Sequence, residues 1–207
     1  MGIKVRKATQ ADAPFVAQAI MASSRAGKKR GVFDLIFQCD STDVLSQKLQ
    51  SLSITQTKSF CHHSNFLIAE DNGARVGTLC GYEPRIATQE IFAKALKELD
   101  IDESYQERIA SYLLCMPELD RQTWVLDCIE INNKTHELSI LKELVQKSLL
   151  TARLKGYRKV DVVFEIELVD MKMKFEKLGF QYKDEKKSDY YFETYGRKGL
   201  MRMSMQL

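Results

Sequence analysis

One stretch of the chain, "IEINNKTHELSILKELV" (residues 129–145), combines a strand, a polar loop and the start of an amphipathic helix. A loop that leads from a strand into a helix can bind a phosphate, because the first backbone N–H groups of the helix are available to an anion. Two features oppose this chemistry: the loop has no glycine, and Glu137 places a negative charge near the helix start. The stretch is an anion site, an eroded anion site or only a turn.

The composition predicts one globular domain over residues 1–207. The chain is 44% hydrophobic and 29% charged, which is enough apolar sequence for a sizeable core. The net charge of +3 is too small to indicate a nucleic-acid or membrane partner. No apolar run approaches the ~18 residues that a membrane span requires.

The first ten residues, "MGIKVRKATQ", lack the apolar segment of a signal peptide. The cysteines are odd in number and scattered, which is typical of free thiols in a reducing compartment. They are Cys39, Cys61, Cys80, Cys115 and Cys128. We therefore expect a cytoplasmic protein.

Periodicity predicts the elements that position the stretch at 129–145. A first strand, "IKVRKA", precedes a helix capped by Thr9 and Asp12, and a second helix follows Ser41 or Thr42. The segment "NFLIAEDNGARVGTLCGYEP" predicts a hairpin that turns at residues 71–73. Two helices are predicted in an insert at about residues 85–120.

The C-terminal half alternates strands and helices. "TWVLDCIEI" and "KVDVVFEI" are predicted buried strands, and "LKELVQKSLLTARLKGY" is a helix that stops at Gly156. A short helix ending at Gly179 and one or two further strands complete the chain. This order predicts an α/β domain on a mixed sheet.

The pieces resemble the Gcn5-related N-acetyltransferase (GNAT) superfamily in their order and spacing, over nearly the full length. Within it, the similarity is to a group with a helical segment between the third and fourth strands. The matching pieces are "IKVRKATQADAPFVAQAI", "FLIAEDNGARVGTLCGY", "WVLDCIEI", "FEKLGF" and "YGRKGLMRMSMQL". The resemblance implies a GNAT fold in which the fourth and fifth strands splay apart.

The resemblance also implies acetyl-CoA as co-substrate, bound at the end of the fourth strand and by the loop and helix start after it. The family loop, Val-x-Pro-x-x-Arg-x-x-Gly-x-Gly or Ala, aligns without gaps when it is counted back from Gly156. Of its motif positions, only the hydrophobe is kept. The cofactor-binding positions that the resemblance implies are Ile129, Ile131, Asn133, His136, Glu137, Leu138, Ser139, Ile140 and Leu141.

These substitutions predict weakened acetyl-CoA binding. His136 replaces an arginine, removing a permanent charge and a bidentate donor worth about 1.5–3 kcal/mol. Leu141 replaces a glycine, but its spacing with Leu144 and Val145 suggests that it faces the core. Glu137 is expected to repel a diphosphate.

The resemblance further implies a base and an acid at the reacting end. An amine must lose a proton before it attacks a thioester, and a carboxylate of the fourth strand can accept that proton. The candidates are Asp127 and Glu130. A regular strand puts them on opposite faces, so only one of them faces the substrate unless a bulge intervenes. Glu130 is preferred. Phe175, also at the acetyl-CoA site, replaces the tyrosine that protonates the leaving thiolate in many relatives. Tyr157, Tyr190 or Tyr191 could substitute, or be ordinary structural residues.

The implied function is an acetyl-CoA-dependent N-acetyltransferase whose acceptor is a small-molecule or peptide amine. Residues 19–37 and the insert at 85–120 are expected to line the acceptor side. The alternatives are a GNAT-fold binding protein without catalysis and an acyltransferase with a longer acyl donor. Many relatives dimerise, so a homodimer is possible. No metal site is predicted, because "CHH" (residues 61–63) has no second ligand pair.

Overall fold

The computed structural model describes residues 2–207, with every side chain in that range except that of Lys134. The strands are β1 (Lys4–Lys7), β2 (Phe66–Asp71), β3 (Ala74–Tyr82), β4 (Thr123–Ile131), β5 (Lys159–Glu165), β6 (Gln181–Lys187) and β7 (Gly199–Gln206). The helices are α1 (Ala13–Arg25), α2 (Val32–Phe37), α3 (Thr42–Leu52), α4 (Gln89–Lys97), α5 (Tyr105–Arg108), α6 (Ala110–Cys115), α7 (Glu137–Leu154), α8 (Val169–Lys177) and α9 (Asp189–Tyr195).

The strands form one mixed sheet in the order β1-β2-β3-β4-β5-β7-β6. Neighbouring strands are antiparallel except β4 and β5, which run parallel. The predicted mixed α/β fold is therefore confirmed. The parallel pair lies at the centre of the sheet, where helices cover both faces.

The two faces of the sheet carry separate cores. One packs β2, β3 and β4 against α1, α2, α3 and the insert helices, around residues such as Val16, Ile20 and Phe33. The other packs the sheet against α7 and α8, around Leu144, Val145 and Phe175 among others. Both faces of β4 are thus covered, as its mixed apolar sequence predicts.

Local chemistry explains the elements of the N-terminal half. The Thr9 backbone N–H donates to Asp12 Oδ2 at 2.8 Å, which completes the predicted capping box before α1. Ser41 is the N-cap of α3. The β2–β3 hairpin turns at Asn72 and Gly73, whose φ angles of 50° and 80° are those that a tight hairpin turn requires.

Helix α7 buries the face that its sequence predicts. The buried residues include Leu141, Leu144, Val145, Ser148, Leu149 and Ala152. Ser148 also accepts a hydrogen bond from the indole nitrogen of Trp124 at 3.0 Å, which ties the helix to β4. No helix in residues 2–207 is both long and apolar enough to cross a membrane.

Two parts of the structure differ from the sequence prediction. The second insert helix is broken at Ile109 into α5 and α6. The tail contains a helix, α9, between β6 and β7, where only strands were predicted. Its apolar residues are mostly tyrosines and its first turn is capped by Ser188, whose Oγ accepts from the Tyr191 backbone N–H.

Candidate active site

Strands β4 and β5 separate halfway along their length. Residues Thr123–Leu126 of β4 pair with Lys159–Val162 of β5. The remaining residues of β4 have no partner on that side. The main-chain groups of β4 beyond Leu126 that face β5 therefore lie along an open gap. The predicted splay of the central strands is confirmed.

A β-bulge in β4 changes which side chains face the gap. The register with β3 shifts so that Glu130 lies opposite Thr78 and Asp127 lies opposite Cys80. Cys128, inside the bulge, has a φ of 45°. Thr78 and Cys80 point to the same face of β3, so Asp127 and Glu130 share a face as well. The strand is therefore not regular, and the exception that the sequence analysis left open for a bulge applies: the extra residue brings both carboxylates to one face.

A cavity of about 810 Å³ lies on this face of the sheet and continues into the gap. Asp127, Ile129 and Glu130 line it from β4, and residues 162–165 line it from β5. Residues of α1, α2 and the insert form the opposite wall, so both segments expected on the acceptor side contribute to the lining. Neither Leu141 nor Glu137 is among the lining residues.

Asp127 is half-buried and has an unusual electrostatic environment. Its Oδ1 accepts a hydrogen bond from the Cys128 backbone N–H at 2.6 Å. No cation among the described side chains pairs with it. Burial raises the pKa of Asp127 to about 6, against the opposing effect of that hydrogen bond. Such a carboxylate is mostly ionised at neutral pH and is still basic enough to accept a proton.

Glu130 is half-buried and lies closer to the open end of the gap. Burial raises its pKa, and the negative charge of Glu137 raises it further. Both candidate bases therefore line one cavity with raised pKa values. Asp127 lies deeper, beside Tyr82 and Tyr112, whose own pKa values are raised by burial and by the Asp127 charge.

In the loop after β4, the side chain of Asn133 caps the backbone that leads into α7. Asn133 Oδ1 accepts hydrogen bonds from the backbone N–H groups of Thr135 and His136, at 3.1 Å and 3.3 Å. These two amides are therefore occupied by the protein. An anion at this helix start would depend on the amides of the first turn of α7, at Glu137, Leu138 and Ser139.

The side chains predicted around this turn take different positions. Ile140 and Leu141 are buried in the core against the sheet, so only their backbone can face the loop. Leu138 and Ser139 are exposed, whereas His136 and Ile131 are half-buried. Ile131 packs beside Gly77, where a Cβ would lie 3.0 Å from the Ile140 side chain. The expectation that Leu141 faces the core is thus confirmed.

Glu137 forms an ion pair with Lys174. The pair joins the start of α7, which follows β4, to α8, which follows β5. It therefore bridges the two elements that continue from the separated strands. Sequence reasoning identified the Glu137 charge but not its partner, because the two residues are distant in the chain.

Neutralising Glu137 is expected to tighten the binding of acetyl-CoA. In Glu137→Gln, Lys174 loses its partner and becomes available to a phosphate, and the repelling charge is removed. We expect the Kd measured by isothermal titration calorimetry to fall about tenfold, which corresponds to a gain of ~1.4 kcal/mol in binding free energy.

Two controls isolate the phosphate contribution. Glu143→Gln removes an exposed charge from the next turn of α7 and should leave the Kd unchanged. S-acetylpantetheine carries no phosphate, so Glu137→Gln should not change its binding. An equal gain for both ligands would show that Glu137 does not act on the diphosphate.

Phe175 lies in the core and not on the cavity wall. It is fully buried, its ring centroid is 6.0 Å from that of Phe164 in a stacked arrangement, and it meets Phe180 edge-on at 4.9 Å. Its side chain is enclosed by this aromatic cluster, and its assignment to the acetyl-CoA site stays a prediction. The neighbouring Leu168 and Met171 line the cavity instead.

Three tyrosines were candidates for the missing proton donor: Tyr157, Tyr190 and Tyr191. Of these, Tyr191 lines the cavity. Tyr157 packs against Trp124 at 5.5 Å between ring centroids, and Tyr190 is exposed on α9. The Tyr191 hydroxyl donates to Glu165 Oε1 at 2.6 Å. Tyr190 and Tyr191 lie in the helix α9, in the tail where only strands were predicted.

A buried charged cluster next to Tyr191 was not found from the sequence. Arg197, 2% exposed, forms an ion pair with Glu165 at 3.0 Å and donates to the backbone oxygens of Ser24 and Arg30. Both members of the ion pair line the cavity. The only sequence signal was an arginine between two tail glycines in "YGRKG", a pattern that is typical of a simple turn.

The "CHH" segment is accounted for by structural contacts. Cys61 is buried, His62 interacts with Ser64 through Nδ1 at 2.8 Å, and His63 interacts with the Ser53 backbone oxygen at 2.9 Å. Within residues 2–207, no group of three or more metal-ligating side chains is arranged to hold an ion.

Comparison with protein-family models found no match, and comparison with curated proteins found none either. Solved structures do match. An N-acetyltransferase from Staphylococcus aureus Mu50 aligns with a TM-score of 0.71 at 13% identity, over 98% of this chain and 100% of that one. A GCN5-related N-acetyltransferase from Kribbella flavida aligns with a TM-score of 0.59 at 15% identity, over 99% and 98%.

A putative acetyltransferase from Salmonella typhimurium, whose structure was solved with its cofactor acetyl-CoA, also aligns over 100% of this chain and 95% of its own. Its TM-score is 0.53 and its identity is 14%. At such low identity these alignments establish the fold alone. The chain therefore has the fold of the Gcn5-related N-acetyltransferases.

Proposed function

We propose that the protein is an N-acetyltransferase that takes an acetyl group from acetyl-CoA and transfers it to an amine. The observation that carries this proposal is the open gap between β4 and β5, which leads into a cavity holding two carboxylates of raised pKa. The structural neighbours with acetyltransferase names support the same reaction class.

The edge of β4 suits the binding of an acyl-CoA better than the start of α7 does. The unpaired edge of β4, at residues 127–131, offers N–H and C=O groups to an extended amide-containing chain. The helix start is less suitable, since Asn133 occupies two amides and Glu137 brings a negative charge. Acetyl-CoA supplies the activated acetyl group when it is bound.

Asp127 is our assignment for the general base. It removes a proton from the ammonium form of the acceptor, whose nitrogen then forms a bond to the acetyl carbonyl carbon. Backbone N–H groups of β4 stabilise the negative oxygen that develops on that carbon. The nitrogen gives up its second proton to Glu130 through water as the carbon–sulfur bond breaks, and the sulfur takes a proton, for which Tyr191 is the candidate donor. Glu130, nearer the mouth, can assist proton transfer through water.

Amine-dependent release of CoA tests the proposal. The wild-type protein is incubated with acetyl-CoA and a panel of primary amines, and free thiol is measured with a chromogenic disulfide. We expect release with at least one amine, above the rate of acetyl-CoA hydrolysis. Failure of every amine, together with no binding of acetyl-CoA, would contradict the proposal and favour a binding protein that shares the fold.

A further inference from the structure

One wall of the cavity is built from aromatic rings. Phe60 lies at its centre, with ring centroids 5.1 Å from Phe92 and 5.6 Å from Tyr82. Phe92 continues the wall to Phe33 at 6.3 Å and to Tyr105 at 5.8 Å, both edge-on. These rings come from α2, β3, α4, α5 and the loop before β2, so separate elements converge to form one continuous apolar surface that lines the cavity.

Three of the charged residues that line the cavity are paired, and three, Arg121, Asp127 and Glu130, form no ion pair among the described side chains. Glu165 is paired with Arg197 at 3.0 Å. Arg85, at the rim, is paired with Glu83 at 2.5 Å. Asp127 and Glu130 have no cation partner among the described side chains, and Asp127 accepts a hydrogen bond from the Cys128 backbone N–H. The deep part of the cavity therefore holds one uncompensated carboxylate, beside Tyr82 and Tyr112.

A buried carboxylate without a counterion is costly, and a cationic ligand group would relieve that cost. An ammonium at Asp127 would also lie near the phenol rings of Tyr82 and Tyr112, and aromatic faces attract cations. The rest of such a ligand would meet the aromatic wall, where additional ammonium or hydroxyl groups would lose their water without gaining partners. The wall therefore favours an apolar body. Asp127, the one uncompensated carboxylate of the deep part, favours a single positive charge there, since Glu130 lies nearer the mouth of the cavity.

We infer that the acceptor of this site is a primary monoamine on an apolar, preferably aromatic, body, with its ammonium held by Asp127 and its body packed on the wall formed by Phe60, Phe92 and Tyr82. The role of this amine as acceptor rests on the proposed function, whereas the amine-binding site does not depend on it. A cavity of about 810 Å³ is large enough for such a molecule together with the end of an acyl chain.

The test is binding of three probes to the full chain at pH 7.5, measured by saturation-transfer NMR and calorimetry. The probes are 2-phenylethylamine, its neutral analogue 2-phenylethanol, and spermidine as a polyamine. We expect 2-phenylethylamine to bind about tenfold more tightly than either of the others. Spermidine binding as tightly as 2-phenylethylamine would overturn the inference.

Variants separate the carboxylate from the wall. Asp127→Asn should weaken 2-phenylethylamine about tenfold and leave 2-phenylethanol unchanged. Phe60→Leu should weaken both ligands, because both use the ring surface. Asp120→Asn is the control and should change the binding of neither ligand. It removes an exposed carboxylate just before β4, whose Oδ1 accepts from the Gln122 backbone N–H at 2.9 Å. Amine binding that survives Asp127→Asn unchanged would contradict the inference.

Acetyl-CoA is titrated into the same protein so that the two proposals fail separately. Selective amine binding without any binding of acetyl-CoA would overturn the proposed function and leave the amine site intact. CoA release with spermidine or a peptide amine, and none with 2-phenylethylamine, would overturn the inference and leave the proposed function intact.

Discussion

Replacing Asp127 by asparagine is expected to lower turnover by about 10²–10⁴-fold, because asparagine cannot accept a proton from the acceptor amine. In the wild type, kcat/KM should rise with pH through about 6, where Asp127 ionises, and the variant should lack this rise. The measurement is the pH profile of amine-dependent CoA release from pH 5 to 9. A variant with wild-type turnover would show that another group, such as Glu130, is the base.

The same substitution is expected to stabilise the protein at neutral pH. The pKa of Asp127 is raised in the folded state, so the fold binds more protons than the unfolded chain between about pH 4 and pH 6. Stability contributed by the protonated form is present below pH 4 and is lost as the pH rises through 6. Asparagine is never charged and avoids this loss.

The expected gain at pH 7.5 is about 1–2 kcal/mol, after allowance for the solvent that reaches the cavity. This corresponds to a melting temperature about 2–8 °C higher by calorimetry. At pH 3.5 the difference should nearly vanish. Asp120→Asn, which removes an exposed carboxylate at the other end of β4, should show no such pH-dependent gain. An unchanged melting temperature at both pH values would contradict the burial of an unpaired charge.

Removing Arg197 is expected to produce the largest loss of stability. Arg197→Met leaves Glu165 buried without its cation, and breaking such a pair from one side costs about 3–5 kcal/mol. The hydrogen bonds to the Ser24 and Arg30 backbone oxygens are lost too, so the loop after α1 is no longer tied to the tail. We expect the melting temperature to fall by about 10 °C or more.

A double-mutant cycle distinguishes the ion pair from the packing of the arginine. Glu165→Gln in the Arg197→Met background removes the unpaired carboxylate, while the oxygen of the new side-chain amide can still accept from the Tyr191 hydroxyl. The double variant should therefore be more stable than Arg197→Met alone. If the two losses simply add, the pair contributes little and the effect of Arg197 comes from its contacts with the backbone and with Tyr195, whose ring centroid is 5.5 Å away.

The elements with clear periodicity were predictable, because local patterns determine them. The hairpin at Asn72 and Gly73, the capping box at Thr9 and the buried face of α7 all follow from residues that are near in sequence. The short helix α9 was not predictable in this way, since four of its seven residues are aromatic and such residues also suit strands.

The site depended on features that lie outside local patterns. The bulge at Cys128 is set by the pairing of β4 with β3, and it decides that Asp127 and Glu130 share a face. The pairs Glu137–Lys174 and Glu165–Arg197 join residues more than thirty positions apart. A single sequence contains no signal for such contacts. The substitutions in the loop were visible from the start, but their meaning required the Asn133 cap and the Lys174 partner.

The measurement that tests the central claim most directly is calorimetric titration of the wild-type protein with acetyl-CoA, beside Leu168→Trp, which places a large ring at the wall of the cavity that continues into the gap. We predict saturable binding at one site, with a Kd below about 1 mM, and a loss of about tenfold or more in the variant at an unchanged melting temperature. No binding to the wild type at millimolar acetyl-CoA, or equal binding to both proteins, would contradict the account.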